Sequence, residues 1–400
     1  MTPPFKEFWQ FTAPTRVVAG QELIEGTGFE FSKEGAKRPL LVTDEVIRGT
    51  GLIDKVVAGV KDGGLEVAGV FDTVPQDSDT EVVAACAEAA KEAGADSFLA
   101  VGGGSVMDTA KAANVLFTHG GSVREWEGFF GLPREDDGLG KPLPLAPFAA
   151  IPTTAGTGSE VSFAAVVKDA SENLKVEVAD FPMFPDLAIL DPAATETLPA
   201  SVAAATGMDA LTHAIEGYVS TEANPHGDAY ALQAIRLIRD NLERAVADTT
   251  DVDARGNMLV AASLAIAPTG SNAIGITHSM SHPCGGHYGV AHGVANAINL
   301  PWVIEWNAAG DEAIADRYRA IAETLGTDAA GGGEAVGAAL ADHVRGMSSR
   351  LGLPSRLSEV GVPEEGIPAL VDGAMGDGCT LVNPREASEE DFEELFRKAL

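Results

Sequence analysis

Four hundred residues exceed what one ordinary hydrophobic core organises, and at 45% apolar the chain has material for two domains. Its 59 acidic against 27 basic side chains leave a formal charge of −32, which argues against nucleic acid or anionic lipid as partners because like charges repel along the whole approach. No run of about eighteen apolar residues offers a membrane span, MTPPFKEFWQ is not a basic leader, and Cys86, Cys284 and Cys379 are too scattered for a disulfide framework, so the reading is a cytoplasmic globular protein.

From Pro39 to Gly104 short apolar runs alternate with amphipathic stretches. PLLVTD (39–44), LEVAGVFD (65–72) and SFLAVG (97–102) read as buried strands separated by helices, the order a parallel βαβ sheet needs. Between the last two, Ser78 or Asp79 caps a helix that sets Val82, Val83, Cys86 and Ala90 at helical spacing. FAAIPT (148–153) and LAILD (187–191) extend the sheet, and VSFAAVVKDASENLKVEV between them predicts a hairpin turning at DASEN. After Leu198 strand signals vanish, and helical periodicity runs through SVAAATGMDALTHAIEGYVS, GDAYALQAIRLIRDNLERAVAD and ARGNMLVAASLAIA. The proline-rich stretch 192–199 marks a junction between an α/β domain over 1–197 and an all-α domain over 198–400. SEEDFEELFRKAL closes the chain, acidic in its first turn and with Arg397 and Lys398 in its last, which suits the helix dipole at both ends.

Two loops of the first half look built for phosphate. SFLAV runs into Gly102, Gly103, Gly104 and Ser105 and then into a helical pattern, so a glycine turn lets the backbone approach a pyrophosphate at a helix N-terminus. The spacing is neither GxGxxG nor a P-loop. A second loop after a strand, PTTAGTGSE, adds Thr153, Thr154, Thr157 and Ser159 at what should be the carboxyl edge of the sheet, where open α/β sheets bind ligands. Asp44 ends the first strand, either to receive an adenosine ribose and repel a 2′-phosphate or to cap the next helix.

The second half concentrates histidine. Four of the eight lie in THSMSHPCGGHYGVAHGVAN, at His278, His282, His287 and His292, among small residues that let imidazoles converge. Upstream, Asp209 and His213 are four apart and share a helix face. Alone that pair would be a helix-face ion pair; with the downstream cluster it makes Asp209, His213, His278 and His292 a carboxylate and three-histidine metal set. The acids, single or paired as at Asp136 and Asp137, and the scarcity of lysine resemble proteins adapted to molar salt, where screening acts over about 3 Å.

GGGSVMDTAKA, PTTAGTGSEV, GMDALTHAIEGYVS and THSMSHPCGGHYGVAHGVANAINLP, in this order and spacing, resemble the iron-containing (group III) alcohol dehydrogenase family, a likeness that covers nearly the whole chain. The resemblance implies an α/β dinucleotide-binding domain with a parallel sheet, an all-α second domain (the architecture shared with dehydroquinate synthase), and NAD(P) with one divalent metal in the cleft between. Matched residue by residue, it puts the metal on Asp209, His213, His278 and His292. Phosphate contacts fall on Gly102, Gly103, Gly104 and Ser105, and further cofactor contacts on Thr153, Thr154, Thr157 and Ser159. Asp44 falls where NAD-preferring members carry an acid, Lys175 matches a lysine that reaches the cofactor, and His282 matches a pocket histidine suited to proton relay. Two positions depart from the family: Ala291 stands where a proline usually precedes the last ligand, and His287 replaces an apolar or aromatic residue.

The expected activity is therefore metal-dependent, reversible hydride transfer between a small or primary alcohol and its aldehyde or ketone, with NAD, or NADP in its place. Mixed nitrogen and oxygen ligation suits Fe(II), and Zn(II) binds at least as well. Three rivals stay open: a glycerol or other polyol dehydrogenase, a lyase of the 3-dehydroquinate synthase type, and a metal-binding protein without catalysis. Family resemblance also implies a homodimer or larger assembly.

Overall fold

The computed structural model describes residues 8–136, 140–170, 174–267 and 274–400, which divide into two compact units. The α/β unit takes Ala13–Thr154 and Gly158–Leu198; the helical unit takes the described residues up to Thr12, Ala155–Thr157 and Pro199–Leu400.

Six strands make the main sheet of the α/β unit: β1 (Arg16–Ala19), β2 (Pro39–Val42), β3 (Gly69–Phe71), β4 (Ser97–Gly102), β6 (Phe148–Pro152) and β9 (Leu187–Leu190). They lie in the order β1-β9-β6-β4-β2-β3, all parallel. The four inner strands are buried along their whole length, which is why they read as unbroken apolar runs. On one face α3 (Leu52–Asp62), preceded by α1 (Thr27–Ser32) and α2 (Glu45–Gly49), sets Ile53, Val56 and Val60 against Leu41, Leu99 and Val101. On the other, α4 (Thr80–Ala93) and α5 (Gly104–His119) pack Val83, Cys86, Met107 and Ala110 against Leu40, Val42, Phe98 and Ala100. Asp79, not Ser78, caps α4, accepting from the backbone of Glu81 and Val82.

The chain steps outward from β2 to β3, then returns to lay β4 on the far side of β2. The direction of winding therefore reverses between β2 and β4, the kind of switch point beyond whose carboxyl ends open α/β sheets place ligands. Two departures from the sequence reading concern the edges. β1 is short and half-exposed, its apolar run only Val17, Val18 and Ala19, too brief to announce a strand. The hairpin β7 (Ala164–Asp169) and β8 (Leu174–Ala179) pairs antiparallel but joins β5 (Gly128–Phe129) in a separate three-stranded sheet; residues 171–173 of its expected turn lie outside the described residues.

The helical unit contains α6 (Ala200–Val219), α7 (Pro225–Ala247), α8 (Val252–Ile266), α9 (Ile276–Tyr288), α10 (His292–Ala308), α11 (Glu312–Leu325), α12 (Gly333–Arg350), α13 (Ile367–Met375) and α14 (Glu389–Ala399). α6 is buried nearly all round, as an interior helix must be. Ile276, Met280, Ile298, Leu370, Phe392 and Phe396 join α9, α10, α13 and α14 in one core. Ser388 and Asp391 form a reciprocal capping box on α14, and Arg397 and Lys398 sit in its last turn. Among the described residues no helix is long and apolar enough to cross a membrane.

Candidate active site

Three helices of the helical unit contribute to one cluster, two of them through residues one turn apart. Asp209 and His213 come from α6, His278 and His282 from α9, and His292 starts α10. Gly293 makes this convergence feasible: a Cβ there would lie 2.2 Å from the carbonyl oxygen of Ala205, so only glycine lets α10 approach α6 this closely. Ala291, where the family has proline, takes φ −58°, the value a proline ring would impose.

Asp209, His278 and His292 each present an atom within 4.8 Å of the others. Asp209 Oδ1 lies 3.8 Å from His278 Nε2 and 3.5 Å from His292 Nε2. His213 stands beside this triangle, Nδ1 3.9 Å from Asp209 Oδ1 and its ring centroid 4.6 Å from that of His278. That Nδ1 is buried with no hydrogen-bond partner among the described residues. A buried, unpartnered imidazole nitrogen beside three converging lone-pair donors is costly unless a cation completes it, and Asp209, His278 and His292 fit a divalent transition ion through one oxygen and two nitrogens, with His213 alongside. Burial disfavours charge on Asp209, but the surrounding histidines outweigh it and hold the carboxyl well below its usual range. Burial pushes His213 down to about 4, which keeps its ring neutral.

Two carboxylates absent from the sequence reading hold the imidazoles. Glu216 sits on α6 seven residues after Asp209, on the same face, and is buried. It accepts from the backbone N–H of Gly275 (2.9 Å) and Thr277 (2.6 Å) and from His278 Nδ1 (2.5 Å), which turns His278 Nε2 toward Asp209. Against the effect of burial, Glu216 and Asp209 raise His278 to about 9. Asp377 accepts from His282 Nδ1 (2.6 Å) and from the backbone N–H of Cys379 (2.9 Å). His282 in turn stacks on His292, centroids 5.4 Å apart. His287 is exposed at the end of α9 and takes no part in the cluster. The spacing of Glu216 was a usable signal; Asp377, about a hundred residues from His282, left none.

In the α/β unit the glycine turn and the threonine loop end neighbouring strands, with Gly102 paired to Pro152. The Thr153 N–H donates to Gly102 O (3.0 Å), and a Cβ at Gly103 would meet Thr154 at 3.4 Å. At Gly102 a Cβ would lie 2.6 Å from the Val106 side chain. Gly103 caps α5, whose 16 residues start at Gly104, so the first amides of this helix lie just beyond the carboxyl end of β4. Ser105 Oγ accepts from Asp77 N (3.3 Å). Asp44 caps α2 through one oxygen, accepting from Ile47 N (2.8 Å), which leaves its second oxygen for another donor. The two readings of this residue are thus compatible.

The remaining loop residues separate. Thr157 falls with the helical unit. Ser159 is buried, its hydroxyl accepting from Lys111 Nζ (2.8 Å) and donating to Asp108 Oδ1 (2.8 Å). Lys175 is exposed on β8, opposite Lys168.

Residues 14–192 match the iron-containing alcohol dehydrogenase family, and residues 203–400 its C-terminal part. An NAD-dependent methanol dehydrogenase of Bacillus methanolicus is 36% identical over 391 residues, covering 98% of this chain and 99% of its own. The solved structure of a 1,3-propanediol oxidoreductase superposes with a TM-score of 0.92 at 34% identity, over 98% of this chain and all of the other. An archaeal halo-thermophilic alcohol dehydrogenase from a Red Sea brine pool gives a TM-score of 0.88 at 29% identity, over 99% of this chain and all of its own. The chain belongs to the iron-containing alcohol dehydrogenase family and is an oxidoreductase acting on CH–OH groups.

Proposed function

We propose that the protein is a metal-dependent, NAD-linked alcohol dehydrogenase that interconverts a small or primary alcohol with its aldehyde or ketone, and that Asp209, His213, His278 and His292 hold its metal, Fe(II) by preference. The observation that carries this is the convergence of Asp209, His278 and His292 within 4.8 Å, with the unpartnered His213 nitrogen beside them. When bound, a divalent cation there supplies Lewis acidity toward a substrate oxygen, and the nicotinamide supplies the hydride acceptor or donor. Glu216 holds the Nδ1 proton of His278 and so leaves Nε2 as the atom that would exchange its proton for a metal. Asp377 holds the Nδ1 proton of His282, whose Nε2 is then free to take the proton an alcohol loses. In the α/β unit, the amides of Gly103, Gly104 and Ser105 receive the pyrophosphate, Thr153 and Thr154 line its other side, and the second oxygen of Asp44 receives the adenosine ribose, which favours NAD over NADP. The acidic surface, together with the brine-pool relative, supports adaptation to molar salt.

A panel of methanol, 1,3-propanediol, glycerol and short aldehydes, followed at the reduced-nicotinamide band with NAD and with NADP in low and molar KCl, tests this when metal is quantified on the same sample. Turnover with NAD and about one metal per active chain is the expected result. Metal uptake with no absorbance change on any substrate would leave a binding protein instead.

A further inference from the structure

We infer that Asn296 is a positioning residue of the proposed metal site: its amide N–H fixes the Asp209 carboxylate oxygen at the point shared with His278 and His292, without Asn296 itself coordinating. The inference rests on the metal reading above. Asn296 follows His292 by one turn of α10, the same i, i+4 relation that links Asp209 with His213 and His278 with His282, so it lies on the face that carries the ligands. It is completely buried. Its Nδ2 stands 2.8 Å from Asp209 Oδ1 and 3.2 Å from Nε2 of both His278 and His292.

Two amide hydrogens therefore face three acceptors. An imidazole Nε2 has a single lone pair, which ligation consumes; a carboxylate oxygen keeps a second. Only the bond to Asp209 is compatible with a cation that uses all three atoms, and it is the shortest of the three. Asn296 Oδ1 is buried with no hydrogen-bond partner among the described residues, a cost that an apolar side chain of similar shape would avoid. What the position gains in return is the N–H donor.

The test is Zn(II) affinity of the metal-stripped full chain, read by competition with a chromogenic chelator, with thermal unfolding of the same samples. Asn296→Ala and the near-isosteric Asn296→Leu should each weaken Zn(II) by about 10- to 100-fold, as the loss of an outer partner of a ligand does. Asn296→Asp, which cannot donate and repels Asp209, should bind no better than Asn296→Ala. Wild-type affinity in a folded Ala or Leu variant overturns the inference. So does an Asp variant that binds as tightly as wild type, because the side-chain oxygen would then be a ligand. Asp209→Ala in the same assay separates the two levels: if it keeps its metal, the site reading itself falls, whereas if it alone loses metal, only the role of Asn296 does.

Discussion

Both units bury charge, and among the described residues the two clusters differ in how far their hydrogen bonds are satisfied. In the α/β unit the Lys111 ammonium has three hydrogens and three acceptors: Ser159 Oγ (2.8 Å), Ser162 Oγ (2.9 Å) and the Ala164 carbonyl (3.0 Å). Asp108 is satisfied by the Ser159 hydroxyl and by Val166 N–H, so the network closes on itself and ties α5 to the segment 159–166. In the helical unit, Asp209, His278 and His292 bring ligand atoms within 4.8 Å of one another, a nitrogen of His213 has no hydrogen-bond partner among the described residues, and the Asn296 amide lies within 3.2 Å of an atom of each of the three. The contrast teaches that burial of charge does not by itself mark a reaction centre. A saturated cluster is a clamp; one that leaves a buried nitrogen unpartnered is built for something that arrives from outside.

The largest effect that would break this contrast is on the open cluster. Asp209→Ala should cost more than the roughly 100-fold in metal affinity that outer-shell changes reach, and turnover should fall with it; a metal-free variant with full alcohol oxidation would show that the convergence is incidental. Next, Lys111→Met opens the closed network. It should destabilise the α/β unit by about 3–5 kcal/mol, since a buried partner is removed, while metal per chain stays unchanged. Loss of metal in that variant would mean that the clusters are not independent.

The smallest effect is a pH dependence confined to the clamp. Burial pushes Glu160, beside Lys111, up from 4.5 to about 7, so the folded chain holds this proton more tightly than the unfolded one. Its stabilising contribution is complete below about pH 4.5 and is lost as pH rises through about 7, an amount of up to about 3 kcal/mol. Glu160→Gln cannot titrate, so its unfolding midpoint should fall less than that of the wild type between pH 5 and pH 8. Equal slopes would assign the proton elsewhere.

Particular residues show what was legible in the chain and what was not. The inner strands were legible because both faces are covered, leaving runs such as PLLV and FAAI with no polar position. Asp209, His213, His278 and His292 stood out because small helical spacings and a dense histidine stretch need no knowledge of how distant segments meet. β1 and β5 escaped, since an edge strand half in water has neither the length nor the pattern of a buried one. Ser159 looked like a ligand contact from its loop, yet its hydroxyl lies in the clamp. Asp377 escaped because its bond to His282 spans ninety-five residues.

The amino-acid order alone made legible the inner strands, the long helices, the change of texture after Leu198 and the side-chain types chemically able to grip a cation. Those are properties of local periodicity and residue type. Only the tertiary structure decided that Glu216 and Asp377 orient two of the histidines, that Asn296 stands at the centre of the ligand atoms, and that the Lys111 network is closed. Hydrogen-bond saturation depends on which groups meet in space, and a buried donor or acceptor can be counted as paired or orphaned only once its surroundings are in place.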